Sequence, residues 1–296
     1  MDEHPASFYT EPESGAVTCV LCPHYCKIPA GTTGFCGIRK NIGGKLYASS
    51  YGKISGIALD PIEKKPLYMF YPGKRVLSIG GFGCNLRCPF CQNSDISINY
   101  KDALQEAEYT APEDIAALAV ETVPEGNIGV AYTYNEPLIG YEFVSGCAKL
   151  VHEAGLLNIL VTNGYINRDP LLKLLPFIDA MNIDLKGFSN DFYKKLGAAG
   201  NVPGGLDIIK ETITLSCTRC HVEVTTLIIP DENDSEEEIE ALAQWLASLD
   251  PKIPLHLTRF FPRYKYSRKV PTARENAVKL SVIAKKYLDN VFTGNM

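Results

Sequence analysis

Val76-Leu77-Ser78-Ile79-Gly80-Gly81-Phe82-Gly83-Cys84-Asn85-Leu86-Arg87-Cys88-Pro89-Phe90-Cys91-Gln92-Asn93 decides the reading of this chain. A short apolar run, the signature of a buried strand, passes into a glycine-rich loop that carries three cysteines within eight residues. Gly80, Gly81 and Gly83 suit a backbone that must pass close to a bulky group. Iron–sulfur clusters usually take four thiolates. Three thiolates spaced CxxxCxxC can wrap a 4Fe–4S cluster and leave one iron without a protein ligand, the open position that a catalytic metal needs. A zinc knuckle is the plainer alternative, but no fourth ligand stands within the loop.

Outward from this loop, apolar runs alternate with helical patterns. The strands expected after Val76–Gly80 are Asn127–Tyr134, Asn158–Thr162, Ala180–Asp184, Val222–Ile229 and Leu255–Phe260. Between them Ile115, Leu118, Ala119 and Thr122 recur at helical spacing, as do Ile239, Leu242, Leu246 and Leu249. Ser235 with Glu238 three residues on predicts a capping box for the second of these helices. Strand–helix alternation implies parallel strands joined by right-handed crossovers, so the fold expected is α/β: a partial, TIM-like (β/α)6 barrel. Such architectures put functional residues at the C-terminal ends of strands. The domains expected are a flexible tail over residues 1–15, a Cys-rich module over 16–75 with strands at Lys45–Ser49 and Ile54–Leu59, and the barrel over 76–296.

Bulk properties narrow the class. With 46% hydrophobic residues, a chain of 296 can bury a sizeable core. A net charge of -5 gives no general electrostatic reason to expect nucleic acid or an anionic membrane as partner. No apolar run approaches the roughly 18 residues of a membrane helix, and the N-terminus lacks the pattern of a signal peptide. A cytoplasmic protein is therefore expected, and in that reducing compartment ten cysteines point to metal ligation or reactive thiols rather than disulfides.

CxxxCxxC with the aromatic Phe90 before its last cysteine resembles the signature of the radical S-adenosylmethionine (SAM) superfamily. Gly83–Asn93 is similar to the activating enzymes of glycyl radical enzymes, such as pyruvate formate-lyase activating enzyme. The stretches from Cys19 to Asn41 and from Tyr51 to Gly73 resemble the radical SAM enzyme of the AmmeMemoRadiSam system. Against that group's pattern, Met69 stands where His is expected, Ser94 where Trp is expected, and the C-terminal Cys pair is missing.

The resemblance implies that SAM docks on the open iron of the Cys84, Cys88 and Cys91 cluster, and that one electron then cleaves it to a 5′-deoxyadenosyl radical. It also implies a one-electron donor such as flavodoxin or ferredoxin. Phe90 is expected on the adenine or the cluster. Tyr134, Asn135 and Glu136 stand where the superfamily receives the SAM amino group. Asp184 and Lys186 resemble the activating enzymes' D-x-K pair beside SAM, and His256 their last-strand contact. Thr162 and Asn163, at another strand end, suit the ribose or carboxylate, or a plain polar turn.

Cys19, Cys22, Cys26 and Cys36 give four ligands in eighteen residues, a closed second metal site for zinc or for another 4Fe–4S cluster. Arg259 is either an anion anchor for substrate or a surface charge. Cys217-Thr218-Arg219-Cys220-His221 is a literal haem-attachment string, set aside because no export signal is present; Cys147 is expected in the core. Two substrate readings stay open: a partner protein to be activated, and modification of a small molecule, a peptide or a nucleic-acid base, of which the acidic net charge disfavours the last. A non-catalytic electron-transfer protein is the alternative from another class; it would keep the cysteines without needing the polar strand ends.

Overall fold

The computed structural model describes residues 4–11, 15–198 and 204–296. The first six strands, β1 (His4–Pro5), β2 (Tyr9–Thr10), β3 (Val17–Cys19), β4 (Lys27–Ile28), β5 (Arg39–Ile42) and β6 (Lys45–Ala48), form two small antiparallel sheets, β1-β6-β5 and β2-β3-β4. The segment expected as a loose tail is thus tied down over its described residues: His4 pairs with Ala48 and Tyr9 with Cys19. Two-residue strands have no periodicity to read, and their register comes from β6 and β3.

The main sheet has eight strands in the order β14-β13-β12-β11-β10-β9-β8-β7. The six expected barrel strands are all present as β8 (Arg75–Gly80), β9 (Asn127–Thr133), β10 (Leu157–Thr162), β11 (Ala180–Asp184), β12 (His221–Ile228) and β13 (Leu255–Arg259), each parallel to the next. Two strands extend this set. β14 (Val291–Gly294) adds in parallel to β13, and β7 (Gly56–Pro61) adds antiparallel to β8. The boundary expected at residue 75 therefore moves: β7 belongs to the barrel sheet, not to the Cys-rich module.

Helices α1 (Ser94–Ser97), α2 (Lys101–Glu106) and α3 (Pro112–Glu121) follow β8, and α4 (Tyr141–Glu153) follows β9. After them α5 (Arg168–Leu174) follows β10, α6 (Asn190–Lys195) and α7 (Gly205–Cys217) follow β11, α8 (Glu236–Leu249) follows β12 and α9 (Arg274–Ala284) follows β13. In α8 the apolar stripe Ile239, Leu242 and Leu246 is fully buried, worth about 1.5–3 kcal/mol per side chain. Ser235 accepts the Glu238 N–H at 3.1 Å, as expected of the cap. The reciprocal half of the box is absent, because Glu238 instead accepts the Phe188 N–H at 2.6 Å and ties α8 to the end of β11.

The antiparallel run of β7 sets which end of the barrel is open. Pro61 pairs with Arg75, so the connection 62–74 lies at the N-terminal ends of the parallel strands. Its Ile62 and Leu67 pack with Val76, Ala131, Ile159 and Ala180 as a buried apolar plug. The cysteine loop leaves β8 at the opposite end, where all the parallel strands finish.

Candidate active site

The loop from Gly81 to Asn93 is held by asparagines from neighbouring strand ends. Asn135, just past β9, accepts the Gly81 N–H at 2.9 Å and donates from Nδ2 to the Gly83 carbonyl at 3.0 Å. Asn163, past β10, donates to Asn85 Oδ1 at 2.9 Å, and Asn85 donates to the Tyr165 carbonyl at 2.7 Å. Asn93 donates to the Tyr134 carbonyl at 2.6 Å. Gly83 has φ +81°, and a Cβ there would stand 2.8 Å from the Cys36 carbonyl oxygen, so only glycine fits this approach.

All three loop thiols are free, with Cys88 buried and Cys84 and Cys91 half-buried. Burial pushes the Cys88 thiol up to about 11, although the Lys186 ammonium draws it back. Burial, with the Glu136 carboxylate second, pushes Cys84 well above the usual thiol range. A metal ion can displace the protons of raised thiols such as Cys84 and Cys88. Asn163 Nδ2 lies 3.7 Å from Cys84 Sγ, and the Leu86 N–H reaches the same sulfur at 3.3 Å. Lys186 Nζ pairs with Asp184 Oδ2 at 2.7 Å; Asp184 and the Cys88 sulfur hold the ammonium above its ordinary value against the opposing effect of burial. A soft, three-thiolate donor set with amide donors at sulfur and a cation beside it fits an iron–sulfur cluster, whose thiolates carry negative charge.

Glu136 is buried at the junction of β9 and β10. Its carboxylate accepts the Leu138 N–H at 3.0 Å, the Thr162 hydroxyl at 2.7 Å and the Asn163 N–H at 2.7 Å. Burial lifts it from 4.5 to about 7, against the pull of those donors. Tyr134 takes φ +69°, uncommon for a residue with a Cβ, and this sends its ring toward Asp60, whose Oδ2 accepts the tyrosine hydroxyl at 2.8 Å. The same oxygen takes Lys65 Nζ at 2.8 Å. Burial and Asp60 together push the Tyr134 phenol up to about 12.

The structure thus gathers Cys84, Cys88, Cys91, Tyr134, Asn135, Glu136, Thr162, Asn163, Asp184 and Lys186 around one loop. Phe90, on the loop itself, and His256 have other partners. Phe90 packs among side chains, stacked 6.5 Å from Phe192 and 6.2 Å from Tyr266. His256 binds Glu223 Oε2 through Nε2 at 2.6 Å, and Glu223 also binds His221 at 2.9 Å. Tyr68 and Met69, on the connection that plugs the barrel, donate their N–H groups to Glu223, which places His256 at that floor. Nearby, Asn182 Oδ1 and Thr225 Oγ1 are buried without a hydrogen-bond partner among the described residues.

Sequence reasoning missed Asp60, Lys65 and Glu223. Their signal was a charge or carboxylate inside an otherwise apolar strand or buried connection, a costly placement that needs a partner. Arg259 donates Nε to the Thr272 carbonyl at 2.9 Å and stacks over Phe261. Cys147 is fully buried in α4; Cys217 and Cys220 are half-buried at the end of α7. The N-terminal cysteines converge on a recess of their own. Among the described residues, no three His, Cys, Asp or Glu side chains lie close enough to share one metal ion, and no helix is long and apolar enough to cross a membrane.

Comparison with known proteins agrees with this fold. The profile of the Radical SAM superfamily matches residues 78–246. A protein of Methanocaldococcus jannaschii without assigned function is 41% identical over 98% of this chain and 85% of its own. The pyruvate formate-lyase-activating enzyme of Clostridium pasteurianum is 28% identical over 56% of this chain and 67% of its own. Among solved structures, a radical SAM methyltransferase from Sphaerobacter thermophilus superposes with a TM-score of 0.57 at 17% identity, over 76% of this chain and 67% of that one.

Proposed function

The chain belongs to the radical SAM superfamily, and from that premise we propose that it reductively cleaves SAM at a 4Fe–4S cluster held by Cys84, Cys88 and Cys91. The observation that carries this reading is the three-cysteine loop clasped over Gly81–Asn85 by Asn135 and Asn163 and tied at Asn93 to the Tyr134 carbonyl. When bound, the cluster and SAM supply one-electron cleavage to a 5′-deoxyadenosyl radical that abstracts hydrogen from the substrate.

The chain's own residues have separable parts in this proposal. Asn135 fixes the path of Gly81–Gly83 and so sets where Cys84 stands. Asn163 offers an amide to the Cys84 sulfur, and Lys186 sets a positive charge beside the thiolates. Glu136 locks the ends of β9 and β10 and keeps one lone-pair direction for an ammonium ligand, while Tyr134, Thr162 and Asp184 complete the polar rim for SAM. An external one-electron donor, such as flavodoxin or ferredoxin, belongs to the scheme.

The similarity to the Clostridium activating enzyme favours a partner protein as the substrate, with glycyl-radical formation as its reaction. The test of the core reading is anaerobic reconstitution with iron and sulfide, followed by SAM and dithionite. 5′-Deoxyadenosine is expected from the wild-type chain and none from the Cys84→Ala/Cys88→Ala/Cys91→Ala variant. Intact SAM beside a reduced cluster would replace the enzyme with an electron-transfer protein.

A further inference from the structure

Cys19 ends β3, Cys22 and Cys26 lie between β3 and β4, and Cys36 stands shortly before β5. All four are free thiols and line one recess together with His24 and Arg39.

Arg39 supplies an independent observation. Its side chain is fully buried; Nη1 binds both oxygens of Glu142, at 3.2 and 3.0 Å, and Nη2 donates to the Ser7 carbonyl. Its Nε is buried with no hydrogen-bond partner among the described residues. A buried donor without an acceptor is costly, and a buried arginine lining a recess walled by thiols suits an anionic, sulfur-rich occupant. The recess also abuts the loop of the proposed active site. Arg87 donates to both the Phe35 and the Cys84 carbonyls, and His24 Nε2 sits 2.7 Å from the Asn85 carbonyl.

We propose that Cys19, Cys22, Cys26 and Cys36 hold a second 4Fe–4S cluster, closed by four thiolates, with Arg39 as its buried counter-charge. A closed set leaves no iron for SAM, so the cluster gains or loses one electron without making or breaking a bond to substrate. This assignment stands apart from the reading of the Cys84 loop.

The test uses the full chain, anaerobically reconstituted. The Cys84→Ala/Cys88→Ala/Cys91→Ala variant is expected to keep about four irons and four sulfides and, once reduced with dithionite, the electron paramagnetic resonance of a 4Fe–4S cluster. In that background Arg39→Met/Glu142→Gln, which removes both members of the ion pair, is expected to shift the midpoint potential downward with the iron count unchanged. Arg39→Lys, which keeps the charge, is expected to shift it less. One zinc per chain without iron, or no metal in a variant whose circular dichroism matches wild type, overturns the cluster. An unchanged midpoint potential removes Arg39 from it. Equal iron in the wild type and the triple variant leaves this site standing and overturns the reading of Cys84, Cys88 and Cys91 instead.

Discussion

Glu136 Oε2 accepts the backbone N–H of Asn163 at 2.7 Å, so one carboxylate joins the end of β9 to the residue whose amide faces Cys84. Glu136 is raised by burial from 4.5 to about 7, which means that the folded chain binds its proton more tightly than the unfolded chain. Stability from this group is therefore fully present at low pH and falls as pH rises from about 4.5 to about 7. Glu136→Gln should abolish that part of the pH dependence and cost about 1–3 kcal/mol through its mismatched donors. Urea midpoints of wild type and variant at pH 5 and pH 8 measure this. An equal pH difference in both proteins removes Glu136 as the titrating group.

The clasp by Asn135 makes a second prediction. Asn135→Ala frees both the Gly81 N–H and the Gly83 carbonyl, while touching no cysteine. Residues that orient metal ligands typically contribute 10- to 100-fold in metal affinity or activity. Iron retained after desalting should fall, and 5′-deoxyadenosine formation should fall by about tenfold or more. Full iron with full turnover would show that the loop holds its path unaided.

His256 separates two readings of the barrel floor. Glu223 is held down at about 2: burial would raise it, but His221, His256 and two backbone N–H groups outweigh that. Its stabilising contribution is present above the ordinary value of 4.5 and is lost as pH falls from there toward about 2. Glu223→Gln should destabilise the fold by about 3 kcal/mol and flatten this acid limb. His256→Asn should lower the melting temperature while leaving the SAM dependence of 5′-deoxyadenosine formation within about twofold. A large rise in the SAM concentration needed would instead restore His256 to the SAM site implied by the resemblance.

What the sequence disclosed follows from how local each signal is. The six strands β8 to β13 are buried on both faces, so their Val- and Ile-rich runs stand out without any partner being known. Cys84, Cys88 and Cys91 sit within one loop, and their spacing alone carries chemistry. The pairs Tyr134 with Asp60 and His256 with Glu223 are 74 and 33 residues apart, and no local pattern announces them. β14 and β7 were missed as barrel strands for a related reason. β14 is four residues long, and β7 shows its membership only through pairing with β8.

Gly83 supplies the last prediction, because it couples the two cysteine groups. At φ +81° an alanine is strained, and its Cβ would press within 2.8 Å of the Cys36 carbonyl. Backbone cannot yield as a flexible side chain can, so either the loop or the Cys-rich module must shift. Gly83→Ala should therefore destabilise the chain by more than about 1 kcal/mol. It should also lower iron retention at both cysteine groups, whereas Gly73→Ala, at φ +79° but with no atom within 4 Å of its Cβ, carries the backbone strain alone. Melting temperatures and iron counts of the two variants isolate the contact from the dihedral. Equal losses in both would show that the approach of Gly83 to Cys36 contributes nothing to holding the two groups together.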